Sequence, residues 1–162
     1  MKDKIKVSEI FGPTHQGEGK YVGTPSIFIR TFGCNFRCKS FGMPLGKESL
    51  EADAIMAQHK EKPFSTLKDM PLVTTGCDTY FSIYPKLKDI SKDMYPVDIV
   101  NKVLELEYHK DNRSHIVITG GEPLLGWQKH YAYLLETLQR FGYEHITFET
   151  NGTQTINKEF GE

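Results

Sequence analysis

Three cysteines are the residues of this sequence with the most chemistry to offer. Cys34 and Cys38 stand four positions apart in Cys34-Asn35-Phe36-Arg37-Cys38, and Cys77 follows much later, directly ahead of Asp78 and Thr79. An odd number of cysteines cannot all pair within one chain. In a chain that shows no secretory leader, clustered cysteines point to metal or catalysis. A tight turn would aim the sulfurs of Cys34 and Cys38 at one centre. On spacing alone, zinc and iron–sulfur both stay open. Zinc would want a fourth ligand, for which His15 and His59 are the candidates.

Two glycine-bearing segments could bring backbone close to a ligand: Gln16-Gly17-Glu18-Gly19 and Thr119-Gly120-Gly121-Glu122-Pro123. Arg30, inside an apolar run, carries a guanidinium suited to bidentate pairing with a carboxylate. Each has a plainer reading when taken alone: a glycine turn, a strand-to-helix junction, an ion-paired arginine. Asp78 and Thr79 could equally cap a turn. His109, His115, His130 and His145 read as surface or strand-edge histidines, and Trp127, Tyr131 and Tyr133 as one helix's core and surface.

The elements that must position these residues follow from periodicity. Ile5 to Phe11 reads as a short strand and Gly12 to Gly23 as a loop. Ser26 to Phe32, rich in β-branched and aromatic residues, reads as a buried strand. Lys39 to Gly76 is polar, lysine-rich and broken by Pro44, Pro63 and Pro71, with one short helix expected over Glu48 to His59. It is too long for an ordinary connection. Val97 to Tyr108 and Trp127 to Phe141 carry apolar residues at helical spacing, the first opened by Pro96, the second closed by Gly142. His115 to Thr119 and His145 to Thr150 read as strands. Strand–helix–strand–helix–strand order predicts an α/β fold with a parallel sheet. The candidate motifs fall at strand carboxyl ends, where such sheets bind ligands.

Length and composition bound the rest. A chain of 162 residues suggests one domain, 1–162. Hydrophobic residues make up 38% and charged residues 25%, as in a globular protein rather than a disordered tail or coiled coil. Twenty Lys and Arg against 21 Asp and Glu leave a net charge of −1, no general reason to bind nucleic acid or a membrane surface. No apolar run reaches the ~20 residues a membrane span needs. The lysine-rich start, Met1 to Val7, has no apolar stretch behind it, so a cytoplasmic setting is expected.

Taken together, these pieces resemble the 7-carboxy-7-deazaguanine synthase family of radical S-adenosylmethionine enzymes, in the queuosine and 7-deazapurine pathway. The family's Cys-x-x-x-Cys-x-x-Cys is matched by Cys34, Cys38 and Cys77, the last followed by the family's Asp-Thr as Asp78-Thr79. Glu9-Ile10-Phe11 with Gln16 to Gly19, Phe28-Ile29-Arg30, Gly33-Cys34-Asn35, the Gly-Gly-Glu-Pro segment and Glu149-Thr150-Asn151-Gly152-Thr153 match further family signatures. The departure is the spacing: 38 residues separate Cys38 from Cys77 where two are usual, making about 39–76 an insertion in the cluster-binding loop. Gly76 also stands where an aromatic residue is usual.

The resemblance implies a partial (β/α) barrel of the radical S-adenosylmethionine type. It implies a [4Fe–4S] cluster on Cys34, Cys38 and Cys77. Three thiolates leave one iron open for S-adenosylmethionine. That cofactor would be held by Gly76, Asp78, Gly121 and Glu122, and Thr79 would contact Mg²⁺. The implied reaction is ring contraction of 6-carboxy-5,6,7,8-tetrahydropterin with loss of ammonia, the pterin being met by His15, Gln16, Gly17, Glu18, Arg30 and Thr119. A flavodoxin-type electron donor is implied as a partner; the lysines of 39–76 read as a solvated face, with docking of that donor as the alternative. The family pattern continues with further strands and a Ser-Pro-Lys segment for S-adenosylmethionine, and nothing matching it follows Thr153 here. A fragment, a shortened form or a chain completed by a partner is therefore expected, its open sheet edge covered in a homodimer. Two other classes share the cysteines: another radical S-adenosylmethionine enzyme, such as a glycyl-radical activase, and a non-catalytic cluster-binding regulator.

Overall fold

A computed structural model describes residues 4–59, 64–108 and 112–161. Its centre is a five-stranded sheet built from β1 (Ile5–His15), β2 (Pro25–Thr31), β3 (Lys92–Met94), β4 (His115–Gly120) and β5 (Ile146–Phe148), in the spatial order β3-β1-β2-β4-β5. β2, β4 and β5 run parallel, while β1 lies antiparallel to both β2 and β3. The α/β expectation holds, and the sheet is open and mixed. Its parallel part is the half that carries the crossover helices α2 (Pro96–Leu106) and α3 (Gln128–Arg140).

Alternation decides which side of each strand is buried. Ile27 and Ile29 of β2, Ile116 and Ile118 of β4, and Ile5 and Val7 of β1 enter one core with Ile99, Val100 and Val103 of α2 and Tyr131, Leu134 and Leu138 of α3. β4 is buried along nearly its whole length, as the central strand of a covered parallel region should be. Both helix-boundary expectations hold. Pro96 opens α2, where a missing N–H costs nothing. Gly142, at φ +87°, closes α3, with Gly142 N–H donating to Gln139 O and Tyr143 N–H to Leu138 O in a Schellman arrangement.

Two elements differ from the sequence expectations. β1 does not stop at Phe11: a register irregularity between Phe11 and Thr14 absorbs Gly12-Pro13 and the strand continues to His15. The three residues of β3, Lys92-Asp93-Met94, are too few to announce a strand, and it forms because Lys6 and its neighbours offer it an edge.

Within the 39–76 stretch the described residues form α1 (Glu51–Gln58), inside the range expected for a helix. Its apolar side does not join the main core. Met56 and Met70 pack with Tyr80, Tyr84 and Leu87 into a second, smaller cluster. A short helix α4 (Lys158–Gly161) follows β5. Among the described residues no helix is long and apolar enough to cross a membrane.

Candidate metal centre

The site forms where the carboxyl ends of β2 and β4 meet. After β2 the chain turns at Gly33. Gly33 N–H donates to Ser82 O at 2.7 Å, and Gly33 O accepts from Glu122 N–H at 2.7 Å. Cys34 is thereby held between the segment after Cys77 and the Gly-Gly-Glu turn after β4. The approach is close enough to demand glycine: a Cβ on Gly121 would lie 2.3 Å from Gly33 O and 2.7 Å from Cys34 Cβ.

The long gap between Cys38 and Cys77 closes on itself. Ser49 N–H donates to Lys39 O at 2.7 Å, and Gly76 N–H donates to Phe41 O at 2.8 Å. Gly76 sits at φ +80°, with Cys38 O 3.6 Å from where its Cβ would be. None of the three cysteines is in a disulfide. Burial pushes the Cys34 thiol up, with Cys77 and Glu122 adding to the rise and the Phe36 N–H opposing it. Burial also raises Cys38, and the neighbouring Cys77 and Cys34 raise it further. Cys38 and Cys77 line one small cleft, a proximity that 38 intervening residues do not reveal.

Other groups point at these sulfurs. Phe36 N–H and Asn151 Nδ2 lie 3.3 and 3.9 Å from Cys34 Sγ, and Thr79 Oγ1 lies 3.5 Å from Cys77 Sγ. Asn151 Nδ2 also donates to Asn35 Oδ1 at 3.1 Å, and Asn35 Nδ2 donates to Thr153 Oγ1 at 2.8 Å, so the loop after β5 is tied to the Cys34 turn. Asp78 is exposed beside Cys38 and raises its thiol. Among the described residues no three His, Cys, Asp or Glu side chains converge on a single ion. Neither histidine weighed as a zinc ligand joins the thiols. His59 stacks near Phe64 at 4.3 Å, and His15 lies at the far end of the sheet beside Pro25, the first residue of β2.

Glu122 is completely buried. Its Oε1 accepts from Leu124 N–H at 2.9 Å and Thr150 Oγ1 at 2.8 Å, and its Oε2 accepts from Asn151 N–H at 2.7 Å. The carboxylate is therefore engaged inside the protein, and the part of the motif facing Cys34 is the Gly121 backbone.

The sheet face opposite the main core holds the remaining candidates. Arg30 and Thr119 are register partners on β2 and β4. Arg30 Nε pairs with Glu9 at 2.7 Å, and its guanidinium lies 5.5 Å over Phe11 and 5.9 Å from the ring of Phe81. Phe11 and Phe28 stack in parallel at 5.0 Å on the same face. Buried Gln16 donates from Nε2 to Glu149 Oε1 at 2.8 Å, while its own Oε1 accepts from Glu18 N–H. Gly17 and Glu18 are exposed. His15 lines a cavity of about 660 Å³ at the amino ends of the parallel strands, away from the cysteines. Arg30 and Thr119 therefore share one surface, and His15 stands apart from it.

Sequence reasoning gave no site role to Glu9, Asn151 or Glu149. All three lie in segments quoted for their motif match, but their partners are 21, 117 and 133 positions away, which no local pattern reveals.

No protein-family model matches the chain. Curated relatives do. The chain is 35% identical over 150 residues to a 7-carboxy-7-deazaguanine synthase of Halobacterium salinarum, covering 92% of this chain and 40% of that protein. It is 31% identical to the same-named enzyme of Bacillus cereus over 151 residues, 93% of this chain and 46% of that one. For Buchnera aphidicola subsp. Schizaphis graminum the identity is 32% over 150 residues, 93% and 55%. The chain thus spans about half the length of the curated relatives it matches. A crystal structure of QueE from Escherichia coli superposes with a TM-score of 0.50 at 21% identity, covering 95% of this chain and 56% of that chain, and shares its fold. Across nearly its whole length, then, the chain is similar to the 7-carboxy-7-deazaguanine synthases.

Proposed function

We propose that this chain carries the cluster-binding part of a 7-carboxy-7-deazaguanine synthase, built as one domain over 1–162 with 39–76 inserted in the cluster loop. The observation that carries the reading is that Cys38 and Cys77 line one cleft while Cys34 is held against Gly121 just past the carboxyl ends of β2 and β4. Three cysteines are the ligand number of a [4Fe–4S] cluster with one open iron, whereas structural zinc takes four protein ligands. When bound, a [4Fe–4S] cluster with S-adenosylmethionine supplies radical chemistry.

In this reading the chain's own groups bind and orient. Cys34, Cys38 and Cys77 hold the cluster. Gly121, Gly76 and Asp78 border the S-adenosylmethionine site, and Glu122 shapes it from beneath by fixing Thr150 and Asn151. Thr79 is the candidate Mg²⁺ contact. The pterin lies over the Arg30–Thr119 surface, its carboxylate on the terminal nitrogens of Arg30 while Glu9 holds Nε. Gln16, Gly17 and Glu18 edge the same surface, while His15 lies outside it at the amino ends of the parallel strands. The net conversion, 6-carboxy-5,6,7,8-tetrahydropterin to 7-carboxy-7-deazaguanine plus ammonia, balances without an added oxidant. A flavodoxin-type donor, a homodimer covering the sheet edge and a cytoplasmic, thiol-preserving setting complete the proposal.

An anaerobic assay tests it. The chain is reconstituted with iron and sulfide and given S-adenosylmethionine, Mg²⁺ and a reductant, with and without the tetrahydropterin. 5′-Deoxyadenosine and the deazaguanine are followed by mass spectrometry. Product is expected. Cofactor cleavage without product would assign a different substrate, and a chain that takes up no iron would overturn the reading.

A further inference from the structure

The insertion between Cys38 and Cys77 poses a geometric problem. A loop of 38 residues has far more conformations than the usual two-residue link, so something must restore the fixed relation between the two thiols. Two carboxylates on the first turn of α1 reach in opposite directions along the loop. Glu51 accepts from Thr74 N–H at 2.6 Å, Thr74 Oγ1 at 2.7 Å and Thr75 Oγ1 at 2.6 Å, just ahead of Gly76-Cys77. Asp53 accepts from Lys39 Nζ at 2.8 Å and lies 3.6 Å from Arg37 Nη1, the two residues flanking Cys38.

The helix is itself anchored. Tyr84 OH donates to Asp53 Oδ1 at 2.5 Å, and the Arg37 guanidinium lies 4.6 Å over the Tyr84 ring. Tyr84 and Met56 belong to the second core. Ser49, just before the helix, adds a third tie: its Oγ donates to Thr75 O at 3.1 Å. These contacts surround a small cleft lined by Arg37, Cys38, Asp53, Thr75, Cys77 and Tyr84, among others. The hydrogen bonds from Thr75 and Thr74 hold the Glu51 carboxyl down at about 2, so it stays an acceptor at any pH a cell offers.

We propose that α1 is the spacer that sets Cys38 against Cys77, with Glu51 and Asp53 as positioning residues that stand in for the short link between the second and third cysteines. The inference rests on the cluster reading above for its purpose, but the thiol-to-thiol relation is measurable without any cluster.

The test uses the full, cluster-free chain in a Cys34→Ser background, so that only Cys38 and Cys77 can pair. The rate of Cys38–Cys77 disulfide formation under mild oxidant is read by peptide mass spectrometry for the parent, Glu51→Gln, Asp53→Asn and the double variant. Thermal midpoints are read alongside. Each single variant should slow pairing about fivefold and the double variant more, as effective concentration falls when a tether is released. The main-core unfolding midpoint should stay within a few degrees of the parent. In the three-cysteine chain the same variants should take up less iron and broaden the cluster's electron paramagnetic resonance signal. Folded variants that pair their thiols at the parent rate would overturn the proposal. If Glu51→Gln fails to fold, Thr75→Val, which removes one donor to Glu51 together with the bond to Ser49 Oγ, takes its place with the same readout. Slowed pairing in a chain that never takes up iron would uphold the spacer and sink the cluster reading, so the two failures are distinct.

Discussion

Glu122 and Thr150, 28 positions apart, are joined by a hydrogen bond of 2.8 Å from Thr150 Oγ1 to Glu122 Oε1. With Asn151 N–H on Oε2, the bond ties the turn after β4 to the turn after β5 directly beneath Cys34. Glu122→Gln turns one acceptor into a donor facing N–H and O–H donors. The expected cost is about 1–3 kcal/mol of stability, since a buried group loses its partner. Urea unfolding of the two chains checks this. An unchanged midpoint would mean the carboxylate is not buried as described.

Gly121→Ala places a methyl group 2.3 Å from Gly33 O, an atom of the backbone that cannot swing aside. The expected outcome is a loss of about 1–3 kcal/mol from overpacking, together with displacement of Cys34. Thermal unfolding measures the first. Iron content after reconstitution measures the second, and it should fall well below that of the parent chain.

Cys77→Ala should abolish cluster formation as fully as Cys34→Ala, because a cluster held by three thiolates does not survive on two. The check is iron and sulfide content with the visible absorption of the cluster. Full iron content in Cys77→Ala would remove Cys77 from the site.

His115 carries the pH prediction. Burial disfavours its charged form, and neighbouring His145 adds to the depression. Its ring is closed in by Ser26 Oγ at 3.2 Å, by Thr147 Oγ1 and by Tyr21 at 4.5 Å. The unfolded chain therefore takes up this proton more readily than the folded one. Stability attributable to His115 is complete above the ordinary histidine value of about 6.5 and declines as pH falls below it. Denaturant midpoints from pH 8 to pH 5 should fall in the parent, and the slope should flatten in His115→Asn. Parallel slopes would show that the ring titrates normally in the fold.

The helices were legible because their signals are local. Pro96 opening α2 and Gly142 closing α3 act within one turn of their own positions. β2 and β4 were legible because β-branched residues alternate or run unbroken there. β3 was not, because Lys92–Met94 is held by pairing with β1 and has no pattern of its own. The end of β1 was misplaced for a similar reason: a Gly-Pro pair reads as a break, yet the neighbouring strand keeps it in the sheet through an irregular register.

The sequence by itself determined the donor set, three cysteines with Gly121 to face them, because residue type alone decides which atoms can bind a metal or admit a close backbone. It also placed Arg30 and Thr119 in two separate strands; that these strands are neighbours, with the two residues in register, is a tertiary fact. Only the tertiary structure decided that Cys77 returns to Cys38 across 38 residues, that Glu122 turns inward to Thr150 and Asn151, and that Glu9 already holds one edge of Arg30. These are pairings between residues far apart in the chain. They exist because two strands and a helix pack as they do, and packing is a property of the whole fold rather than of any window of sequence.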